Sequence, residues 1–201
     1  MPEPDRYLSF ADLQSREHPR HYRIEVLDRG SQVVLAAPHG GRIEPGTSEV
    51  ALAIAADVWS CYRFEGHKAR MNRHLHITST NFDEPVALSL FAQAQLVVTV
   101  HGVRDPQPVV FLGGRHHVAR TTLGAALERH DYRVAVHPNY RGEHPRNVCN
   151  HGRAGAGVQL ELSDGLRRRF FHDLTPSGRA RPRSALHHFA AVVRETLLTL
   201  A

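Results

Sequence analysis

The segment APHGGRIEPGTSEV, residues 37–50, carries a histidine, two glycines and, five positions past the histidine, a glutamate. Imidazole and carboxylate both bind metals. Gly40 and Gly41 free the backbone to fold sharply, so His39 and Glu44 can converge on one ion. A second histidine, His101, ends the apolar run QLVVTVHG (95–102). Two histidines and one carboxylate are the usual protein ligands of a catalytic zinc, with a fourth position left for water. Zinc-assisted hydrolysis also needs a carboxylate that is not a ligand, to take up a proton and return it. Glu161, in the apolar GVQLELS, is the candidate, because a charge in a buried strand is costly unless it is paired or serves a site. Each residue also has a plainer reading. His39 could be a turn residue, Glu44 a solvated loop charge, His101 a hydrogen-bonded strand end, and Glu161 an edge-strand group facing water.

The elements that must position these groups read as strands alternating with helices. SQVVLAA (31–37) is predicted as a buried strand, and TSEVALAIAADVWS (47–60) as a helix with Thr47 or Ser48 as its N-cap. CYRFEG (61–66) and RHLHITS (73–79) read as short strands, the second with His74 and His76 on one face and Arg73 and Leu75 on the other. DEPVALSLFAQA (83–94) is predicted helical, with Pro85 in its first turn. QPVVFLGG (107–114), YRVAVHP (132–138) and GAGVQLELS (155–163) read as strands, and RTTLGAALERH (120–130) and 183–201 as helices. This alternation indicates an α/β domain whose sheet is covered on both faces. Sites in such sheets gather at the carboxyl ends of the strands, where three apolar runs deliver His39, His101 and Glu161.

A chain of 201 residues suits one domain, 1–201, with a polar surface segment over the first 30 residues. Apolar residues at 41% and charged ones at 22% are ordinary for a globular protein. The net charge of +5 favours an anionic partner, and 16 histidines invite a search for metal ligands. Cys61 and Cys149 form no CxxC pair and read as inert buried thiols. His116, His117, His187 and His188 read as helix-face or cap residues. The first residues lack a signal-peptide pattern, and no run reaches the ~18 apolar residues of a membrane helix. The expectation is a cytoplasmic monomer, or one released on lysis, without a membrane partner. No helix-turn-helix, RNP or zinc-finger pattern is present, and LRRRFF (166–171) reads as a solvated helix face. A nucleic-acid partner is therefore not expected.

Taken together, APHGGRIEPGTSEVA, FEGHKARMNRHLHITSTNFDEP, VVTVHG, FLGG and PRNVCNHGRAGAGVQLELS make the chain resemble the phage-related poly-γ-glutamate hydrolase family. That resemblance implies a zinc-dependent enzyme whose fold is similar to carboxypeptidase A and the aspartoacylases. Such a fold is a three-layer α/β/α sandwich with a mixed, mostly parallel sheet. It implies that His39, Glu44 and His101 bind zinc and that Glu161 is the general base. The carboxypeptidase pattern places histidine and glutamate three apart, whereas here they are five apart, the spacing that suits the hydrolase family. Carboxypeptidase-like sites also use arginines to hold a substrate carboxylate and steady an oxyanion. The candidates for substrate binding are Arg146, Asn147, Asn150 and Arg153. The expected activity is zinc-dependent hydrolysis of γ-glutamyl amide bonds in an anionic glutamate polymer or an acidic, peptide-like substrate. The alternatives are an N-acyl amino acid deacylase or carboxypeptidase-like amidohydrolase, and a non-enzymatic phage-type nucleic-acid-binding protein.

Overall fold

The apolar runs pair into one seven-stranded sheet in a computed structural model that describes residues 4–200. Its strands are β1 (Tyr22–Leu27), β2 (Val33–Gly41), β3 (Ser60–Gly66), β4 (Leu96–Val103), β5 (Val109–Gly113), β6 (Arg133–Ala135) and β7 (Val158–Ser163). The helices are α1 (Phe10–Arg16), α2 (Thr47–Ala55), α3 (Pro85–Gln93), α4 (His117–Arg129), α5 (Asp164–Phe170), α6 (Pro176–Arg179) and α7 (Ser184–Leu198). The spatial order is β1-β3-β2-β4-β7-β5-β6. β3, β2, β4 and β7 are mutually parallel, β1 is an antiparallel edge, and β5 and β6 run together antiparallel to β7. A parallel block must be covered on both sides, and the strands alternate accordingly. Val33, Leu35 and Ala37 face a core built with α2, α4, α5 and α7, whereas Val34 and Ala36 face one built with α1 and α3. The result is a three-layer α/β/α sandwich. Among the described residues no helix is long and apolar enough to cross a membrane.

Several local expectations are corrected. The N-terminal segment is only partly a polar surface strip: most of it is exposed, but Tyr7, Phe10 and Leu13 recur at helical spacing and are buried in the second core, and 22–27 forms the edge strand. Residues 73–79 are not a strand. A 3-10 turn spans Asn72–Leu75, and the chain then runs extended past His76, so His74 and His76 do not share a strand face. Helix α2 ends at Ala55, with Ala56 at φ 48°, and Ser60 already belongs to β3. Neither Thr47 nor Ser48 is its N-cap. Gly46 holds that position at φ 101°, which glycine adopts without the steric cost of a Cβ. The two hydroxyls instead tie the helix to the preceding loop: Thr47 Oγ1 donates to Glu44 O (2.9 Å), and Ser48 Oγ accepts from Gly41 N (3.1 Å). LRRRFF is only partly a solvated face, since Arg167, Phe170 and Phe171 are buried. His116 caps α4, its Nδ1 accepting from Ala119 N, and Cys61 and Cys149 are buried free thiols.

Candidate functional site

Adjacent strands β2, β4 and β7 carry His39, His101 and Glu161 toward their carboxyl ends. His101 and Glu161 are register partners, so their side chains leave the same face of the sheet. His39 reaches that face by a different route. It falls in phase with Val33, Leu35 and Ala37, which point to the opposite core. The β2–β3 register, however, shifts by one residue between Ala37 and Gly40. This bulge breaks the alternation and turns the imidazole toward Ile77 and Phe82, on the side of α1 and α3.

Glu44 is held against the two histidines by the backbone. Its N–H donates to His39 O (2.9 Å), and its Oε2 accepts from Gly102 N (2.8 Å), the amide following His101. Arg167, 3% exposed, clamps this corner. It donates from Nε to Leu162 O (3.1 Å), from Nη1 to Pro45 O (2.6 Å) and from Nη2 to Val103 O (3.3 Å) and Asp164 Oδ1 (2.5 Å). Its guanidinium lies over Gly102, where an added Cβ would fall 2.7 Å from Arg167 Cζ. Gly102→Ala is therefore expected to displace a buried, four-way hydrogen-bonded group and cost about 1–3 kcal/mol of stability, measurable by urea unfolding.

His39 Nδ1 and His101 Nδ1 stand 3.1 Å apart, and the Glu44 carboxylate lies 3.4 Å from the first and 3.8 Å from the second. One ligand atom from each of the three residues fits within 4.8 Å of the others. The Ile77 carbonyl lies 2.8 Å from His39 Nε2, which assigns the His39 proton to that nitrogen and leaves Nδ1 as a lone-pair donor. His101 Nε2 is buried without a partner among the described residues, so Nδ1 is the side of that ring engaged with its neighbours. Burial, reinforced by His39, pushes His101 down to about 3. Burial tends to raise Glu44, but His39, then His101 and His76, outweigh it and hold the carboxyl below its usual range. Two imidazoles and a carboxylate meeting in a buried corner are the donor set a divalent cation takes, the histidines binding it through an unprotonated nitrogen.

Glu161 is buried beside this cluster. Burial first, and the charge of Glu44 second, push its carboxyl well above the usual range against the pull of Arg167. Oε1 accepts from Gln159 Nε2 (3.0 Å). Gln159 and the carbonyl of Ile77 were not singled out by sequence reasoning, although the period-two alternation of VQLELS puts Gln159 in phase with Glu161.

The residues 146–153 separate in space. Asn147 is buried and joins the Glu161 network, donating from Nδ2 to Gln159 Oε1 (3.0 Å). Asn150 has its amide committed to the backbone: Oδ1 accepts from Arg115 N and Gly157 N, and Nδ2 donates to Gly142 O and His144 O. Arg153 is fixed by its N–H to Ala94 O (2.8 Å), at the end of β4 remote from His101. Arg146 is exposed on the loop leading to Asn147. Besides the buried Arg167, Arg73 stands at the cluster, half-exposed, its Nη1 4.0 Å from Glu44 Oε1. His76 stacks on His39 with ring centroids 4.0 Å apart, donates from Nδ1 to Asp5 Oδ1 (2.6 Å), and places Nε2 3.8 Å from Glu44 Oε1. His74 turns away to Arg6 (3.1 Å).

A family model described as poly-gamma-glutamate hydrolase matches residues 7–194. The UPF0714 protein YndL of Bacillus subtilis (strain 168) is 36% identical over 180 residues, 88% of this chain and 71% of that protein. A solved structure of zinc-free YndL superposes with a TM-score of 0.94 at 33% identity, covering 98% of this chain and 99% of that one. A bacteriophage poly-gamma-glutamate hydrolase does so with a TM-score of 0.94 at 28% identity, covering 98% of both chains. A metallo-carboxypeptidase of Burkholderia cenocepacia, at a TM-score of 0.51 and 11% identity over 89% of this chain and 61% of that one, shares the fold.

Proposed function

The chain belongs to the poly-gamma-glutamate hydrolase family, and on that basis we propose that it cuts the γ-glutamyl amide bonds of poly-γ-glutamate at a single zinc ion held by His39, Glu44 and His101. The observation that carries this reading is the convergence of His39 Nδ1, His101 Nδ1 and the Glu44 carboxylate, with Glu161 one strand away. The zinc-free form of YndL supports the choice of metal. When bound, zinc polarises a carbonyl and makes water easier to deprotonate.

The chain's own residues would divide the remaining work. Gly102 N and the His39 carbonyl aim Glu44, and the Ile77 carbonyl keeps the His39 proton on Nε2. Glu161 takes a proton from the attacking water as its oxygen bonds to the amide carbon. It then gives that proton to the nitrogen as the carbon–nitrogen bond breaks, releasing an amine and a carboxylic acid, whose remaining proton passes to the amine or to solvent. A polymer with one free carboxylate per unit needs cationic groups along its path. Arg73 beside Glu44 and Arg146 on its exposed loop are the proposed grips, an arginine fork matching a carboxylate with two hydrogen bonds.

The test is to incubate metal-replete protein with poly-γ-glutamate and with poly-α-glutamate and to size the products, before and after chelation. The γ-linked polymer should shorten, chelation should stop the reaction, and added zinc should restore it. A metal-replete protein that leaves the γ-linked polymer intact would remove the substrate assignment.

A further inference from the structure

We propose that Gln159 is a positioning residue for Glu161, and that Asn147 orients its amide for that task. The proposal rests on the hydrolase reading above, in which Glu161 handles the proton. The terminal torsion of a glutamate is broad and roughly two-fold, so burial alone does not fix the plane of its carboxylate. A directional hydrogen bond does, and Gln159 Nε2 supplies one to Oε1 at 3.0 Å. Among the described residues Oε2 then has no protein hydrogen-bond partner, which leaves that oxygen available for the proton transfer.

The amide of Gln159 has a defined polarity, and its origin can be followed back to the main chain. Asn147 Oδ1 accepts from Cys149 N (3.1 Å), a donor that cannot reverse. The other end of that amide, Nδ2, therefore points at Gln159 and requires an oxygen there, which is Oε1 at 3.0 Å. Gln159 must in turn present its NH2 to the other side, where its two hydrogens meet Glu161 Oε1 and Tyr140 O (3.2 Å). The order backbone N–H, Asn147, Gln159, Glu161 thus runs one way only. Both amides are buried, where an unpaired polar group is costly, so the chain of bonds is held as a unit. A network needed only for packing could close on backbone groups, as Asn150 does. This one ends on the carboxylate proposed to move the proton. The bond to Tyr140 O also ties the Gln159 amide to the largely exposed 136–146 loop.

The test is a double-mutant cycle on the zinc-loaded enzyme with poly-γ-glutamate. Gln159→Met keeps the length of the side chain and removes the donor. It is expected to lower kcat by about 10- to 100-fold, the effect of losing a hydrogen bond to a charged group, with KM and zinc content unchanged. In a Glu161→Gln background the same substitution should cost no further activity, because its effect runs through Glu161. A merely structural role would lower both backgrounds equally, and that result would overturn the proposal, as would a wild-type kcat for Gln159→Met. Should Gln159→Met fold poorly, Asn147→Asp serves in the same cycle. It keeps the acceptor for Cys149 N but sets an oxygen against Gln159 Oε1, and the same outcomes decide. Wild-type protein inactive on the polymer would sink the hydrolase reading; active wild type with unaffected variants would sink the relay alone.

Discussion

Replacing Glu161 with glutamine is expected to lower kcat on poly-γ-glutamate by about 10²–10⁴-fold, the usual weight of a general acid–base group, while zinc content and thermal stability stay close to wild type. The substitution keeps the volume and one oxygen, so Gln159 Nε2 still finds an acceptor at the Oε1 position. It removes a buried carboxyl that burial and Glu44 together destabilise as an anion, so it should not weaken the fold. What it takes away is the ability to accept a proton and return it. The check is steady-state kinetics beside metal analysis on the same preparation. Full activity in a zinc-loaded Glu161→Gln protein would exclude Glu161 from the chemistry.

Replacing His101 with alanine acts on the metal instead. It removes one of three proposed ligands and leaves Glu44 and His39 with a gap where the imidazole stood, 3.1 Å from His39 Nδ1. Zinc should be lost on purification, and activity with it. The more discriminating readout is stability. A ligand that binds the folded state alone stabilises it by RT ln(1 + [L]/Kd), about 4 kcal/mol at a thousandfold excess over Kd. Wild-type protein should therefore melt higher with zinc than with chelator, and His101→Ala should melt at one temperature in both. A His101→Ala protein that keeps the zinc-dependent rise would show that His101 is not a ligand.

The alternation of apolar strands and helices was legible in the sequence, because burial on both faces writes long apolar runs into the central strands. Strands 33–41, 96–103 and 158–163 and helices 85–93 and 184–198 lie where the pattern places them. Residues 73–79 misled because His74, His76 and their neighbours alternate like a strand, yet a 3-10 turn and the bonds that Asp5 accepts from His76 Nδ1 and Thr78 N hold them instead. The N-terminal segment misled through its charge: Tyr7, Phe10 and Leu13 are too sparse to read as apolar until they meet β3 and the segment beyond it. Asn150 has the residue type of a binding loop, but backbone groups of Arg115, Gly142, His144 and Gly157 take up its amide, and the main chain of Arg153 is tied to Ala94 O, before the start of β4.

Composition and order along the chain were enough to announce an α/β sheet with His39, His101 and Glu161 near its strand ends, since residue type and spacing are local properties. Three matters belonged to the tertiary structure. The bulge between Ala37 and Gly40 turned His39 onto the face of His101, against its own phase in the strand. Gly102 N, offered by a neighbouring strand, aimed Glu44. A backbone N–H at Cys149 set the direction of two amides that end at Glu161. The first two depend on which strands become neighbours and in what register, and the third on where the turn at Asn147 meets β7; such meetings of separate segments leave no periodic mark in any one of them.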